Sequence, residues 1–346
     1  MAGIGGQTQH PTVVEIRAIL SQLTQLQPVA AALATLVMVE GSSYRRSGAR
    51  LLVQRDGTRT GSISGGCLEE DLLAHCHAVI SSGVPKLVRY DTSSENDLVW
   101  GVGLGCHGVV QVFIERIVGT PHWASTLQRN FELHLPTPLT IVWASDDVAT
   151  QGTHLSEEQP ALRLGASVFN EIIQPPLRLF VFGAGDDAKP LVRMAKELGW
   201  HVTVADPRRD FATKHRFPAA DNLIVGRASD LVKTAAPPAD GAVVVMTHHY
   251  IHDVPLLTEL LARPVAYLGL LGPRKRAAQI LGDIEQNAAA TPVIPSHANR
   301  LHAPVGLDLG AETPEEVALS IIAEIRAVIS GRDGRSLRER TGPIHR

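Results

Sequence analysis

Aromatic side chains are scarce in this 346-residue chain, with seven Phe, four Trp and four Tyr. Its cores must therefore be filled by Ala, Val, Leu and Ile, a composition that suits buried parallel strands. Cysteine is scarcer still. Cys67, Cys76 and Cys106 are an odd count that excludes a disulfide framework. No apolar run approaches the ~20 residues needed to cross a bilayer. The segment Met1 to His10 has neither the basic start nor the apolar stretch of a signal peptide. Together these absences lead us to expect a reduced, cytoplasmic protein without a membrane partner. Basic charge is not in excess either. The net charge is −3 and no basic block stands out, which argues against nucleic acid as a partner. Internal repeats and low-complexity tracts are also missing.

What is present points to two domains, since the chain is too long for one ordinary core. Gln174-Pro175-Pro176 is the natural boundary, because two prolines continue neither a helix nor a central strand. This divides the chain into 1–175 and 176–346. The expected architecture is α/β: an N-terminal α+β domain followed by a Rossmann-like, doubly wound parallel sheet. In the first half, Val13 to Leu26 carries a helical stripe, and Leu33 to Val39 and Arg50 to Gln54 read as strands. The turn Gly61 to Gly66 runs into a helical segment from Cys67 to Ile80. A second glycine turn, Gly101 to Gly108, precedes the strand Val109 to Ile114. The stretch from Gly119 to Leu164 reads as irregular apart from one strand, Leu139 to Trp143.

From Leu179 onward the alternation of strand and helix is regular and implies a parallel sheet covered on both faces. Gly183-Ala-Gly185-Asp-Asp-Ala188 matches the dinucleotide fingerprint between a strand and a helix. Asp206 ends the next strand, 23 positions beyond Gly183, where an acid can bind a ribose hydroxyl. Asp186 and Asp187 stand in the turn that would cradle a diphosphate. Two carboxylates there repel it and can cap the helix themselves. Two further strand ends gather chemistry: Thr247-His248-His249 after one, and Leu271-Gly272-Pro-Arg274-Lys275-Arg276 after another. Arg274 beside Gly272 suits an anion, as do Arg208 and Arg209. His248 or His249 could serve as an acid–base group for a nicotinamide-dependent oxidoreductase using NAD(P). The histidine spacing fits no strong zinc pattern, so no metal is expected. Thr313-Pro314-Glu315-Glu316 announces a last helix with a capping box.

Two cysteines are framed by glycine. Gly65-Gly66-Cys67 opens a helix, where the dipole favours a thiolate. Gly105-Cys106-His107 sits on the second glycine turn with an imidazole alongside. Each is a candidate nucleophile, persulfide carrier or soft-metal ligand. Cys76, inside the helix, reads as a small buried residue. Ahead of them, Glu40-Gly-Ser-Ser-Tyr-Arg45-Arg46-Ser-Gly48-Ala-Arg50 places Arg45, Arg46 and Arg50 in a loop suited to a phosphorylated ligand.

In order, Gly41-Ser-Ser-x-Arg-Arg-x-Gly-Ala-Arg50, Gly61-Ser-Ile-x-Gly-Gly-Cys-Leu-Glu69, Gly103-Leu-Gly-Cys-x-Gly108 and Phe182-Gly-Ala-Gly185 resemble the XdhC/CoxI family of xanthine dehydrogenase accessory proteins. Thr247-His248, Tyr267-Leu-Gly-Leu-Leu-Gly272 and Pro304-Val-Gly-Leu-Asp-Leu-Gly310 with Thr313-Pro-Glu-Glu316 extend the resemblance over nearly the whole chain. The resemblance implies a maturation factor rather than an enzyme with its own turnover. Such a factor binds molybdenum cofactor (molybdopterin) transiently, protects it while its terminal sulfur is installed, and hands it to a xanthine dehydrogenase-type molybdenum hydroxylase. A cysteine desulfurase is the implied sulfur donor and a homodimer the default assembly. The chain departs from the family pattern at several positions. Asp186 and Asp187 replace a His and an apolar residue, Tyr44 and Ser47 replace Pro, and Ser64 and His107 replace Gly.

Overall fold

The computed structural model describes residues 13–25, 29–41, 43–66, 68–91, 108–287 and 300–342. The chain divides into two compact units that meet in sequence at Pro175 and Pro176.

The first unit is built on a five-stranded antiparallel sheet of β1 (Ala30–Gly41), β2 (Arg50–Gln54), β3 (Arg59–Gly61), β4 (Lys86–Asp91) and β5 (Gly108–Val118), in the order β3-β2-β1-β5-β4. Central β1 is an almost unbroken apolar run because both of its faces are covered. Ala32, Ala34 and Leu36 face helix α2 (Glu69–Ser82), against Leu72, Cys76, Val79 and Ile80. Ala31, Leu33 and Val37 face the opposite way, onto α1 (Val13–Gln25) and α3 (His122–Leu133). The same layer contains a small antiparallel sheet of β6 (Thr137–Ala144), β7 (Gly152–Leu155) and β8 (Ser167–Ile173), ordered β7-β6-β8. The region expected to be irregular is thus ordered. Trp123, Leu127 and Phe131 recur every four residues and fix α3 against the core.

The second unit is a parallel sheet of β9 (Arg178–Phe182), β10 (His201–Asp206), β11 (Asn222–Val225), β12 (Ala242–Val245), β13 (Tyr267–Leu270) and β14 (Leu301–His302). Its order, β11-β10-β9-β12-β13-β14, is the Rossmann arrangement, and the direction of winding reverses between β9 and β12. Leu179 and Val181 of β9 point to one face, packed with α4 (Ala188–Glu197) and α8 (Pro314–Ile329). Phe180 and Phe182 point to the other, packed with α5 (Ala228–Ala235), α6 (Tyr250–Leu261) and α7 (Arg274–Asn287). The doubly wound class expected from the alternation is the one observed.

The expected capping box is also present. The Thr313 hydroxyl accepts from the Glu316 amide at 3.3 Å, and the Glu316 carboxylate accepts from the Thr313 amide at 2.9 Å. Further along α8, Glu324 gathers three other segments. It accepts from the Tyr267 hydroxyl at 2.5 Å and the Gly306 amide at 2.8 Å, and pairs with His302 at 3.1 Å. Tyr267 in turn stacks on His302.

Candidate functional site

Two regions carry the residues singled out from the sequence, one in each unit. In the first unit, the β1–β2 loop and the β3–α2 turn come together. Arg45 makes a bidentate pair with Glu15 of α1, Nη1 to Oε1 at 2.8 Å and Nη2 to Oε2 at 2.5 Å. Donating these hydrogen bonds to Glu15 holds the guanidinium pKa above its ordinary value. Gly48 donates to the Leu36 carbonyl at 2.7 Å, which closes the loop back onto β1. Arg46 is half-buried in the same loop.

Arg50, expected with these two as an anion ligand, is placed otherwise. It opens β2, is buried, pairs with the equally buried Glu171 of β8, and donates to the Gly48 carbonyl at 2.9 Å. It therefore ties the two sheets of the unit together, and of the three arginines only Arg45, paired with Glu15, and Arg46 stay partly exposed in the loop.

The β3–α2 turn is held from inside by one carboxylate. Glu69 accepts from the Ser64 amide at 2.9 Å, from the Ser62 hydroxyl at 3.1 Å and from the Ser64 hydroxyl. Burial pushes the Glu69 pKa up, but the donors from Ser64 and Ser62 outweigh it and keep the group ionised below the usual carboxylate range. Ser64 also receives the amides of Gly66 at 3.3 Å and Leu68 at 3.2 Å, so its hydroxyl organises both sides of position 67. Gly65 and Gly66 are exposed, and the Tyr44 ring lies 3.8 Å from where a Gly65 side chain would begin. Cys67, Gly105, Cys106 and His107 lie outside the described residues. The helix after the turn starts at Glu69, two residues later than expected, without a side-chain cap. Cys76 is buried as expected, and burial pushes its thiol pKa up to about 12.

The second region lies at the carboxyl ends of β9, β10, β12 and β13, where doubly wound sheets hold their ligands. Gly183 has φ +123°, and a side chain there would begin 2.4 Å from the Met246 carbonyl oxygen, so the first fingerprint glycine is required by the approach of β12. The next residues depart from the expected self-capped turn. Asp187 makes no side-chain cap; its Oδ2 meets His248 Nε2 at 2.6 Å across the winding reversal. Asp186 pairs with Lys189 at 2.8 Å and Arg216 at 3.0 Å. Neighbouring side chains, not the helix terminus, take up both carboxylates: two cations for Asp186 and an imidazole for Asp187. Asp206 is likewise spent. Fully buried, it accepts from the Ala184 amide at 2.7 Å and from Arg208 at 2.8 to 2.9 Å, which leaves it no opening toward a ribose. Burial raises its pKa, and the Arg208 bonds more than reverse the effect. Arg208 and Arg216 both lie over the Phe211 ring, 3.7 and 4.8 Å from its centre.

His248 sits at φ +61°, an uncommon conformation for a non-glycine residue. Its carbonyl accepts from Arg276 at 3.1 Å, and Arg276 is anchored in turn on buried Asp253. Asp253 also accepts from Thr247 at 2.6 Å. The Asp187 hydrogen bond raises the His248 pKa above its ordinary value; burial and Arg276 oppose it, and Asp253 assists. Arg274, expected at the strand ends, is exposed at the start of α7. Arg276 is the cation that returns to the crevice, and Gly272, at φ +137°, lies against its stem. Arg276 stands in the first turn of α7, two residues beyond Arg274 in the same cationic run. No group of three or more potential metal ligands occurs among the described residues, and no helix there is long and apolar enough to cross a membrane.

Residues 25–91 match the XdhC and CoxI family and residues 179–325 match the XdhC Rossmann domain. The chain is 35% identical over 320 residues to a Bacillus subtilis protein named as a probable xanthine dehydrogenase subunit, covering 85% of this chain and 92% of that protein. It is 24% identical over 298 residues to the molybdenum cofactor insertion chaperone PaoD of Escherichia coli, covering 86% and 83% respectively. A crystal structure described as a xanthine dehydrogenase from Bacillus halodurans superposes with a TM-score of 0.74 at 32% identity, over 93% of this chain and 98% of that one.

Proposed function

The chain belongs to the XdhC and CoxI family, and on that premise we propose that it is a molybdenum cofactor maturation factor, which binds the cofactor transiently as cargo, protects it during sulfuration and inserts it into a xanthine dehydrogenase-type hydroxylase. Insertion is the role named for PaoD, and a relationship to xanthine dehydrogenase is named for the Bacillus subtilis relative. The observation that carries the reading is the convergence of two loops in the first unit. The Ser62–Ser64–Glu69 network fixes a turn of two exposed glycines, and the loop bearing Tyr44, Arg45 and Arg46 packs beside it. A phosphorylated pterin needs backbone that approaches closely, hydrogen-bond donors and an apolar face. The two loops supply these in kind, through the glycine turn, the guanidinium and amide groups and the Tyr44 ring. The cargo brings the dithiolene-held metal, and the chain's part is to hold and shield it.

Cys67 and Cys106 are the proposed thiols for guarding or passing sulfur, with a cysteine desulfurase as donor and a homodimer as the working assembly. The test is direct. Purified protein is mixed with molybdenum cofactor and gel-filtered, and bound molybdenum and pterin are assayed. Co-elution of both is expected; elution of bare protein would overturn the reading. Cys67→Ala and Cys106→Ala should each lose cofactor or fail to activate the partner, whereas Cys76→Ala should do neither. Full delivery by the double variant would remove the thiols from the mechanism.

A nicotinamide-dependent oxidoreductase acting through His248 is the rival reading. Asp206 weighs against it, because its oxygens are bonded to Ala184 and Arg208 and present no acceptor to a ribose.

A further inference from the structure

We infer that Tyr44 is a stacking platform for the flat heterocycle of the cargo, and so a determinant of pterin recognition. This rests on the reading above, that the first unit holds a molybdopterin-class ligand. Tyr44 is 67% exposed, a cost for a large ring that a structural role does not require. Its place is nonetheless defined. The Cε1 and Cζ atoms both lie 3.8 Å from the side-chain position of Gly65, so the ring rests on the glycine turn rather than reaching into solvent alone. The following residue is anchored by the bidentate Arg45–Glu15 pair, which limits how far the loop can swing. The turn beneath it is braced by Glu69 through Ser62 and Ser64. Gly66, the next residue of the turn, is exposed as Gly65 is. A braced, exposed aromatic ring bordering exposed glycine backbone is an arrangement on which a planar heteroaromatic stacks. Arg45, already neutralised by Glu15, acts here as a positioning residue.

The test compares wild type, Tyr44→Phe and Tyr44→Ala. Two probes are used: molybdenum cofactor retained on gel filtration, and pterin-6-carboxylic acid followed by its own fluorescence. The second probe carries the heterocycle without phosphate, dithiolene or metal. Tyr44→Phe should bind both like wild type. Tyr44→Ala should bind both about tenfold more weakly, within the range that base–aromatic stacking supplies, with an unchanged melting temperature. Binding of both probes by Tyr44→Ala within twofold of wild type would overturn the stacking role and leave the cofactor reading standing. Wild-type protein that retains neither molybdenum nor pterin would overturn both.

Discussion

Replacing Arg50 by Met should unfold the first unit early, for a reason that lies in its packing. Arg50 and Glu171 are both about 1% exposed in their side chains. They join β2 of the larger sheet to β8 of the smaller one. Methionine preserves much of the volume but removes the charge, and with it the bond to the Gly48 carbonyl. Glu171 then remains buried without this cation. Glu115, whose pKa burial already raises, also feels Arg50 and loses its moderating charge. Breaking a buried pair from one side costs about 3–5 kcal/mol. For a unit of this size that is a fall of roughly 6–20 °C in the melting transition. Scanning calorimetry on the full chain reads it. The double variant Arg50→Met/Glu171→Leu should recover most of the stability, since well-packed apolar residues replace a buried pair at little cost. If Arg50→Met melted within about 2 °C of wild type, the pair would not be a structural tie, and Arg50 would again be a candidate ligand.

Three other outcomes are expected. His248 should titrate above its ordinary value in an NMR pH series and move back toward it in Asp187→Asn. Because a raised imidazole pKa stabilises the folded state below the unfolded pKa, that stabilisation should disappear as pH rises through the folded value. Gly183→Ala should destabilise the second unit by about 2 kcal/mol or more, since its methyl group would meet the Met246 carbonyl at 2.4 Å; a fully stable variant in thermal melts would show that the turn can yield. Iodoacetamide mapping on native protein should leave Cys76 unmodified until denaturant is added, because the thiol is buried and its pKa is pushed up to about 12. Rapid native labelling of Cys76 would contradict its place on the buried face of α2.

The parts of this molecule that were legible in the sequence are those set by local chemistry. The β9–Gly183–α4 turn, the strand ending in Asp206 and the Thr313 capping box each announce themselves within a few residues, through period, glycine and cap. Helix α3 was equally available in the spacing of Trp123, Leu127 and Phe131, but that stripe is only three residues long and its remaining positions are mostly polar. The fates of the charged residues were not legible. Arg50 finds Glu171 from 121 residues away, and His248 finds Asp187 from 61. A loop of arginines reads as ligand-binding until the fold shows which of them already has a carboxylate. Asp206 illustrates the same limit at close range, since the acid expected to face a ribose is turned instead onto Arg208 and the backbone of its own turn.

Glu324 bears on the order in which the second unit is completed as the chain is made. Strand β14 is two residues long and pairs with β13 at the edge of the sheet. It is fastened further by His302 on Glu324, which also grips Tyr267 and the Gly306 amide. Glu324 lies near the end of the last helix. During synthesis the sixth strand therefore emerges before the residue that fastens it, and the edge of the sheet must wait open until α8 has left the ribosome and docked. A chain cut short just ahead of Thr313 would retain all six strands and yet expose that edge, with the apolar face of β13 beside it. In a cell such a product would be a substrate for proteases and chaperones, not a smaller working protein.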